Sequence, residues 1–523
     1  MSSTTSSPIE RGAVGSEKVT FPSARTPAGE SYEAAEGYHL FANSDDAYDL
    51  KKASDGRTIL IPQPTDEPTD PLNWPNRKKH LILAIIAWVA FLADFSSSTS
   101  TITQIPQAKQ WHREPGEIAH AQGGNIFCLG AAGPIIVILS NYFGRLPVLL
   151  FCLTASVGTA AWSASATSFD SFLWARVIHG FFSGIGQSTG LMQIKDLYFL
   201  HEHPRKINIW SGAFTTGPFI SPLIFAFVTW KVNWEWSYWI ACITFAVGFI
   251  LVVLFADETY FNRTMLTQPE RKSRWLRLVG IEQWRTGSVG NTFWQASATT
   301  VLAMTKIPIL LIVIYLFLNF AWFVGVTIAV AVWLSEYYHF QFEGLGLFYF
   351  GPLVGVAVGE IAGHWAHDMV GRVSARRHNG ILHAEARLMM VWPAGILLFI
   401  SVLAIGFALE HLWAWPVLCV FYGVQACGVI VATTAISAYL LDAYPEAPGE
   451  VAAWLNVGRS WGGFMAAYVV LEWVEKSGGA VAFGGQAAIC GASLFIILFL
   501  QLFGQRIRKW QGPITRGTTS RAL

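Results

Sequence analysis

The feature that most constrains this chain is a series of apolar runs, each about 20 residues long, that recurs from near Leu81 onward. A helix of that length can cross a hydrocarbon core about 30 Å thick. The sequence predicts twelve such spans, at residues 79–101, 117–139, 147–166, 171–193, 206–229, 236–256, 308–333, 343–364, 387–408, 412–439, 451–472 and 480–503. The predicted fold class is an all-α polytopic membrane protein.

Composition supports the same class. Only 13% of the 523 residues are charged and 53% are hydrophobic, whereas a soluble protein carries about 25% charged residues. The net charge of +1 gives no argument for a nucleic-acid partner. All six cysteines fall inside apolar runs, where we expect them to pack as small side chains rather than form disulfides or bind metal.

Polar segments divide the chain into parts. A polar stretch of about fifty residues separates the sixth and seventh spans, which leaves two groups of six helices. The expected organisation is a disordered N-terminal tail at 1–70, a six-helix bundle at 71–256, a central loop at 257–307, a second six-helix bundle at 308–504 and a C-terminal tail at 505–523. We find no cleavable signal peptide in this pattern.

Basic residues cluster in alternate loops. One set carries Arg77, Lys78, Lys79, Arg145, Lys195, Arg205, Lys206, Arg271, Lys272, Arg274, Arg277, Arg372, Arg376, Arg377, Arg506, Arg508 and Lys509, whereas the other carries only Lys109, Arg113, Lys231 and Lys476. The positive-inside rule then places both tails and the central loop in the cytoplasm. The sequon Asn262-Arg263-Thr264 would lie on that side, where we expect it to be unused.

A short pattern recurs after the second and eighth spans. "SNYFGRLPV" and "AHDMVGRVS" each place an Asn or Asp three residues before Gly-Arg, giving Asn141, Gly144, Arg145 and Asp368, Gly371, Arg372. Repetition at corresponding loops of two halves is the internal symmetry of a secondary transporter.

Further segments carry a family resemblance. "FLWARVIHGFFSGIG" contains Arg176, Gly180 and Gly184, and "SGAFTTGPFISP" contains Gly212, Gly217 and Pro218. "DPLNW", "ARRHNGILHAEARL" and "PGEVAAWLNVGRS" add to them. With these motifs, residues 70–510 resemble the major facilitator superfamily and, within it, the fungal drug:proton antiporter branch with twelve spans.

The resemblance implies roles for several residues. The loops with Asn141 and Asp368 would form a cytoplasmic gate that latches the halves, although Asn141 stands where the family usually has Asp. Gly212, Gly217 and Pro218 resemble an antiporter motif, although Ser221 and Pro222 replace its trailing glycines. A cavity lined by the first, fourth, seventh and tenth helices would contain Gln187, Asn319, Trp322, Tyr422 and Gln425.

Intramembrane charges need partners, because an unpaired charge in hydrocarbon costs at least a few kcal/mol. Asp94 interrupts the run "AIIAWVAFLADFSSSTSTI", and we expect it to pair with Arg176, either for proton coupling or as a structural ion pair. His179 lies on nearly the same face as Arg176, and it either joins a proton relay or packs. Glu360, Asn456 and Arg459 indicate a second charge pair or a gate, unless Glu360 snorkels to the interface.

The favoured function is proton-coupled secondary transport by alternating access, with efflux of a drug, toxin or secondary metabolite. The alternative is an uptake symporter for a polyamine-like or other cationic nutrient. No phosphate-binding loop indicates a nucleotide-driven pump, and His201/His203 and His364/His367 do not form the boxes of a metal enzyme. We expect no enzymatic activity, cofactor or metal, and a monomer that contacts substrate, protons and lipid in the plasma membrane, or alternatively the vacuolar membrane.

Overall fold

The computed structural model describes residues 37–39, 51–53, 55–56, 58–261, 273–286 and 292–514. Most of these residues belong to eighteen α-helices. In chain order they are α1 Asn76–Ser97, α2 Ser100–Trp111, α3 Pro115–Phe143, α4 Arg145–Ala164, α5 Phe169–Ser183, α6 Ile185–Leu197, α7 His203–Lys231, α8 Glu235–Phe255, α9 Arg274–Leu278, α10 Ile281–Thr286, α11 Phe293–Met304, α12 Ile307–Tyr337, α13 Phe342–Phe348, α14 Phe350–Arg377, α15 Val391–Glu410, α16 Trp415–Ala443, α17 Pro448–Ser477 and α18 Gly479–Gln511. Strands β1 (Tyr38–His39) and β2 (Ile381–Leu382) form one antiparallel pair.

The helices reproduce the series of apolar runs. Ten segments within the described ranges are long and apolar enough to cross a membrane. The other two predicted spans correspond to α5 with α6, which Gly184 separates, and to α17, which carries Asn456 and Arg459 among its apolar residues. Length alone does not select the first of these spans, because Gly184 divides it into two short helices. Composition alone does not select the second, because of its polar residues.

The two halves meet along two related seams. In one seam α3, the second span, packs against α17, the eleventh; in the other α7, the fifth span, packs against α13 and α14, which form the eighth. Small residues allow close approach: a Cβ built at Gly133 of α3 would lie 3.1 Å from the carbonyl oxygen of Ala453 in α17. Each seam thus joins the second span of one bundle to the fifth span of the other, as expected for two repeated bundles.

One predicted loop is helical. Gly144 has φ +101° and forms the expected turn between α3 and α4. Asp368, Gly371 and Arg372 instead lie inside α14, which continues to Arg377. The expectation of a loop there was wrong, because no residue in "DMVGRVSARR" is incompatible with helical backbone and a single interior Gly costs only about 1 kcal/mol.

The chain ends also differ from the expected boundaries. Helix α18 continues to Gln511, beyond the 504 boundary of the second bundle. The expectation of a disordered tail at 1–70 does not hold for residues 58–70, where the Asp70 carboxylate accepts hydrogen bonds from the backbone of Thr65 and Leu72. The sequon Asn262-Arg263-Thr264 lies outside the described residues.

A glycine contact between α14 and α16 provides a test of this packing. A Cβ built at Gly355 would overlap the carbonyl oxygen of Gly423, so Gly355→Ala must push the two helices apart. We expect a loss of about 1–3 kcal/mol in stability, measured as a lower melting temperature of the purified protein in detergent. Gly158→Ala in α4 is the matched control, because no atom lies within 4 Å of its built Cβ; equal effects of the two changes would contradict the packing.

Candidate functional site

A cavity lies between the two halves. The space between its side chains amounts to about 560 Å³, including open solvent at its mouth. Phenylalanine faces, hydroxyl groups and two charged groups line it: Asp94, Ser97, Ser98, Gln122, Ile126, Leu129, Thr215, Pro218, Phe320, Phe323, Val324, Thr327, Arg459 and Ser460. These residues come from the first, second, fifth, seventh and eleventh spans, so the cavity contacts both bundles.

Asp94 forms an ion pair with Arg459, not with Arg176. The Oδ2 atom of Asp94 in α1 lies 2.9 Å from Nη1 of Arg459 in α17, and the side chains are 17% and 10% exposed. The expected pair with Arg176 was therefore wrong, because depth in the membrane did not determine which neighbouring helix Asp94 faces. The observed pair joins the two halves across the cavity.

Other side chains hold the Arg459 guanidinium in place. Its Nη2 group donates to the side-chain oxygens of Gln187 and Asn456. The guanidinium carbon lies 4.4 Å from the ring centroid of Phe214 and 5.6 Å from that of Phe320, which are distances for cation–π attraction. Asn456 also donates to the backbone oxygen of Leu129, 3.0 Å away in the first half.

Arg176 contacts backbone carbonyls where the first span is interrupted. Helix α1 ends at Ser97 and α2 begins at Ser100, and a helix end leaves carbonyl groups without intrahelical partners. Nη2 of Arg176 donates to the carbonyl oxygens of Ser96 and Ser97, both at 3.0 Å. The guanidinium also lies 5.3 Å from the Tyr238 ring. Arg176 therefore stabilises the break that follows Asp94.

His179 is buried away from the cavity lining. Its Nε2 lies 2.8 Å from the hydroxyl oxygen of Ser96, and its Nδ1 lies 3.0 Å from that of Thr159. The ring packs edge-on against Phe245. Hydroxyl groups occupy both nitrogens, which favours the packing interpretation over a relay to Asp94.

The five predicted cavity residues have different surroundings. Gln187 contacts Arg459, and the hydroxyl of Tyr422 donates to Thr327, a lining residue, at 2.8 Å. Asn319 donates to Ser493 of α18 at 2.9 Å, and Trp322 packs against Trp473. Gln425 is buried within α16. None of the five lies in the lining itself.

Sequence reasoning missed several lining residues, including Ser98, Gln122, Phe320, Phe323 and Thr327. They lie in ordinary apolar or small-polar stretches. The second, fifth and eleventh spans line the cavity where the fourth and tenth were expected to do so, and that expectation was wrong. The polar residues Gln122 and Thr215 inside apolar runs were the available signal, because buried polar groups in membranes face partners or water.

The antiporter-like motif supports close contacts of α7. A Cβ built at Gly217 would lie 2.8 Å from the backbone nitrogen of Phe95, so α7 approaches α1 beside Asp94. A Cβ at Gly212 would overlap the carboxylate of Glu360 in α14, and Pro218 lines the cavity. The Glu360 backbone oxygen accepts a hydrogen bond from Asn208 of α7 at 2.9 Å. Glu360 thus lies in the seam between the halves rather than at a lipid-facing end.

Two latches join the halves at the basic end, which we define as the end of the bundle where α1 starts and where Arg145, Arg205 and Arg508 lie. Asn141 of α3 donates to the carboxylate of Glu450 in α17 at 2.8 Å. Asp368 of α14 lies 2.5 Å from Arg205 of α7, and 3.9 Å from its own helix neighbour Arg372. The first residue of each repeated motif therefore reaches the other half, through an amide in one copy and a carboxylate in the other.

The motif arginine of the first copy contacts several groups of its own half. Arg145 pairs with Asp196 at the end of α6 and donates to the Met192 carbonyl at 3.2 Å. Its guanidinium lies 5.5 Å from the ring of Tyr260. Burial raises the pKa of Tyr260, so this phenol stays neutral beside the cation. Arg145 consequently fixes the turn that follows the last residues of α3, among them Asn141. At the turn itself, Gly144 leaves room for the Glu258 carboxylate.

The segment "ARRHNGILHAEARL" forms ion pairs within the second half. Arg387 lies 2.9 Å from Asp442 of α16, and Glu385 lies 2.7 Å from Arg508 of α18. Gly371 faces the Arg387 side chain. These buried pairs tie the end of α14 to α16 and α18.

Comparison with known proteins agrees with this architecture. The family model described as the Major Facilitator Superfamily matches residues 83–467. The chain belongs to the major facilitator superfamily. Its members are transporters of small molecules rather than enzymes, and the paired bundles around a central cavity are those of this superfamily.

Individual relatives are distant. A Schizosaccharomyces pombe protein described as an uncharacterized MFS-type transporter is 21% identical, over 88% of this chain and 89% of its own length. The human organic anion transporter MFSD10 (TETRAN) has a similar structure, with TM-score 0.59 and 16% identity over 81% of this chain and 100% of that one. The proton:xylose symporter XylE gives TM-score 0.58 and 12% identity over 82% and 96%. These structures show the shared fold.

The Asn141–Glu450 latch can be tested with a pair of substitutions. Asn141→Asp places two carboxylates where an amide now donates, so one must take a proton or the contact must open. We expect a loss of about 1–3 kcal/mol, measured as a lower melting temperature in detergent. Adding Glu450→Gln restores an amide–carboxylate pair and should recover most of the loss; a double variant no more stable than Asn141→Asp would contradict the contact.

Proposed function

We propose that this protein is a proton-coupled secondary transporter that works by alternating access and exports a small organic drug, toxin or secondary metabolite. The observation that carries the proposal is the Asp94–Arg459 ion pair, which joins the two halves inside the cavity. Uptake symport of a polyamine-like or other cationic nutrient is the alternative, because symport uses the same groups.

An ion pair between rocking halves links their separation to protonation. In alternating access one bundle moves against the other around a central site, and a pair that joins them opposes separation on its side of the cavity. Protonation of Asp94 removes its charge and most of the attraction to Arg459. The loaded and unloaded states of Asp94 then favour different arrangements of α1 and α17, which is what coupling requires.

The cavity offers chemistry for an amphipathic ligand. Phe320 and Phe323 present aromatic faces, and Ser98, Thr215 and Thr327 present hydroxyl groups. Phe214 and the amides of Gln187 and Asn456 surround Arg459, whereas the Asp94 carboxylate is the more exposed member of the pair. A cationic substrate group and a proton would therefore compete for Asp94.

Arg176 and His179 contact the first span next to Asp94 but do not line the cavity. Arg176 binds the carbonyls of Ser96 and Ser97, and His179 binds the Ser96 hydroxyl. These contacts hold the break that begins one turn after Asp94 and thereby orient its side chain. In this proposal the proton is carried by Asp94, with Arg459 as its counter-charge, and Arg176 and His179 are positioning residues.

The cellular orientation follows the distribution of charge. The basic end would face the cytoplasm, with the tails and the central segment on that side. Plasma membrane is the proposed location, with the vacuolar membrane as the alternative, and the transporter would act as a monomer. Of the two structural neighbours, one is titled a proton symporter and the other an organic anion transporter, so the neighbours support transport without fixing its direction.

Uptake into inside-out vesicles with an acidic interior tests the coupling. We expect wild type to accumulate at least one compound from a panel of cationic dyes, azoles and polyamines. Asp94→Asn should lose more than about 90% of this gradient-driven accumulation, a tenfold loss that corresponds to about 1.4 kcal/mol. Asp170→Asn is the matched control, because Asp170 is an exposed carboxylate in the first turn of α5.

Each outcome of that assay has a consequence. Accumulation that survives Asp94→Asn, with the variant folded by size-exclusion chromatography, would reduce Asp94 to a structural partner of Arg459. Accumulation seen only in right-side-out vesicles with an acidic exterior would favour the uptake symporter. Loss in both Asp94→Asn and Asp170→Asn would indicate a general defect rather than a role of the cavity.

A further inference from the structure

Part of the N-terminal segment crosses the boundary between the halves at the basic end. Tyr38 pairs with Leu382, and His39 with Ile381, in the antiparallel β1–β2 ladder. Strand β2 belongs to the second half, between α14 and α15. The segment thus adds a strand to a connection of the second bundle.

Farther along, the same segment contacts the first half. The backbone N–H of Leu200, between α6 and α7, donates to the carbonyl oxygen of Ile61 at 2.8 Å. Ile61 also packs against a buried apolar cluster formed by Tyr38, Leu200, Ala375, Leu382 and Ala386. This cluster contains one residue of the first half, three of the second and Tyr38 of the N-terminal segment, so it is complete only while the halves are together.

The Tyr38 side chain reaches the contacts that hold the basic end closed. Its hydroxyl donates to the backbone oxygen of Asp442 at 3.0 Å. The Asp442 carboxylate lies 2.9 Å from Arg387 of the second half and 3.9 Å from Nδ1 of His203 of the first half. Tyr38 therefore contacts the backbone of a residue whose carboxylate lies near groups of both bundles, and it is only 2% exposed.

We propose that the described residues 37–39 and 58–62 form an autoinhibitory strap that binds across both halves and restrains opening of the basic end. Separation of the halves would pull Leu200 away from Ala375 and Leu382, which removes the surface that the strap covers. Binding of the strap and opening are then mutually exclusive, and by linkage a contact made only in the closed state shifts the equilibrium toward that state. Release of the strap raises the fraction of open molecules.

The contact is small enough to be reversible. Among the described residues it includes a two-residue strand, two long-range hydrogen bonds and one apolar cluster. Gly37 has φ +109°, and a Cβ built there would lie 2.5 Å from Cγ2 of Ile381 and 3.0 Å from Nδ1 of His383. Gly37→Ala is therefore a release variant that alters neither bundle.

The rate at which a cysteine at position 434 is alkylated measures opening of the basic end, and this measurement needs no substrate. Thr434 of α16 is buried and contacts Ser211 at 2.7 Å and Asn208 at 3.1 Å, both in α7 of the other half. In a Thr434→Cys background, the rate of alkylation by a water-soluble maleimide would be read by peptide mass spectrometry at that position alone. The natural cysteines serve as an internal reference for accessibility.

Three further substitutions, each made in the Thr434→Cys protein, test the strap. We expect Gly37→Ala and Tyr38→Ala each to raise the alkylation rate at position 434 at least threefold, and Glu67→Ala, a change at an exposed side chain before α1, to leave it unchanged. Equal rates in all variants, or an increase with Glu67→Ala as large as with Gly37→Ala, would overturn the proposal.

A reversible cross-link provides the opposite perturbation. Tyr38→Cys with Leu382→Cys joins directly paired positions, and mass spectrometry confirms the disulfide. The oxidised protein should be alkylated at position 434 at least threefold more slowly than the reduced protein. An oxidised protein alkylated as fast as the reduced one would overturn the strap. Because the readout is opening rather than transport, neither result depends on proton coupling or on Asp94.

Discussion

The Asp94–Arg459 pair is the interaction on which the rest of the cavity depends. Two charges in the membrane interior persist only when they are paired and hydrogen-bonded. The structure satisfies this with one carboxylate from α1, one guanidinium from α17, and the side-chain oxygens of Gln187 and Asn456. Because each bundle contributes one charge, neither half can bury its own charge alone. The pair therefore makes association of the halves at this depth a condition for burying both charges.

The interruption of the first span places Asp94 at that position. At the break the regular helical hydrogen bonds to the carbonyls of Ser96 and Ser97 are interrupted, and Arg176 donates to both oxygens. His179 and Tyr238 complete the support behind the break. Gly217 lets α7 approach Phe95 from the other side. Four spans of the first bundle thus determine where a single carboxylate points.

Hydropathy was sufficient for the membrane-spanning architecture, because apolar runs of bilayer length leave few alternatives. Composition could not specify which side chains pair with each other. Arg176 does contact the first span two residues beyond Asp94, yet Asp94 faces α17 and Arg176 faces the backbone of α1. The repeated motif lies at the basic end, but the sequence did not specify that Asn141 binds Glu450 or that Gly371 is helical. The segment "PGEVAAWLNVGRS", noted for its resemblance and for the intramembrane residues Asn456 and Arg459, also supplies Glu450, and therefore serves both a latch and the cavity. Choice of partner is decided by helix rotation and by tertiary neighbours far apart in sequence, and neither can be derived from local pattern.

The two latches of the basic end occupy related positions but differ in chemistry. Asn141 offers a neutral donor to Glu450, whereas Asp368 and Arg205 carry full opposite charges, and charge-assisted bonds between two ions are the stronger kind. The N-terminal segment docks on the side of the ion pair, against Ala375 near the end of α14 and Leu200 before α7. The seam between α7 and α14 therefore holds an ion pair, an apolar cluster and a strand pairing, while the seam between α3 and α17 holds an amide contact and an apolar cluster of its own, formed by Val137, Met192 and Ala453. The two seams therefore differ mainly in charge: the side of α7 and α14 relies on an ion pair beside the N-terminal segment, whereas the side of α3 and α17 relies on a neutral amide that donates to a carboxylate.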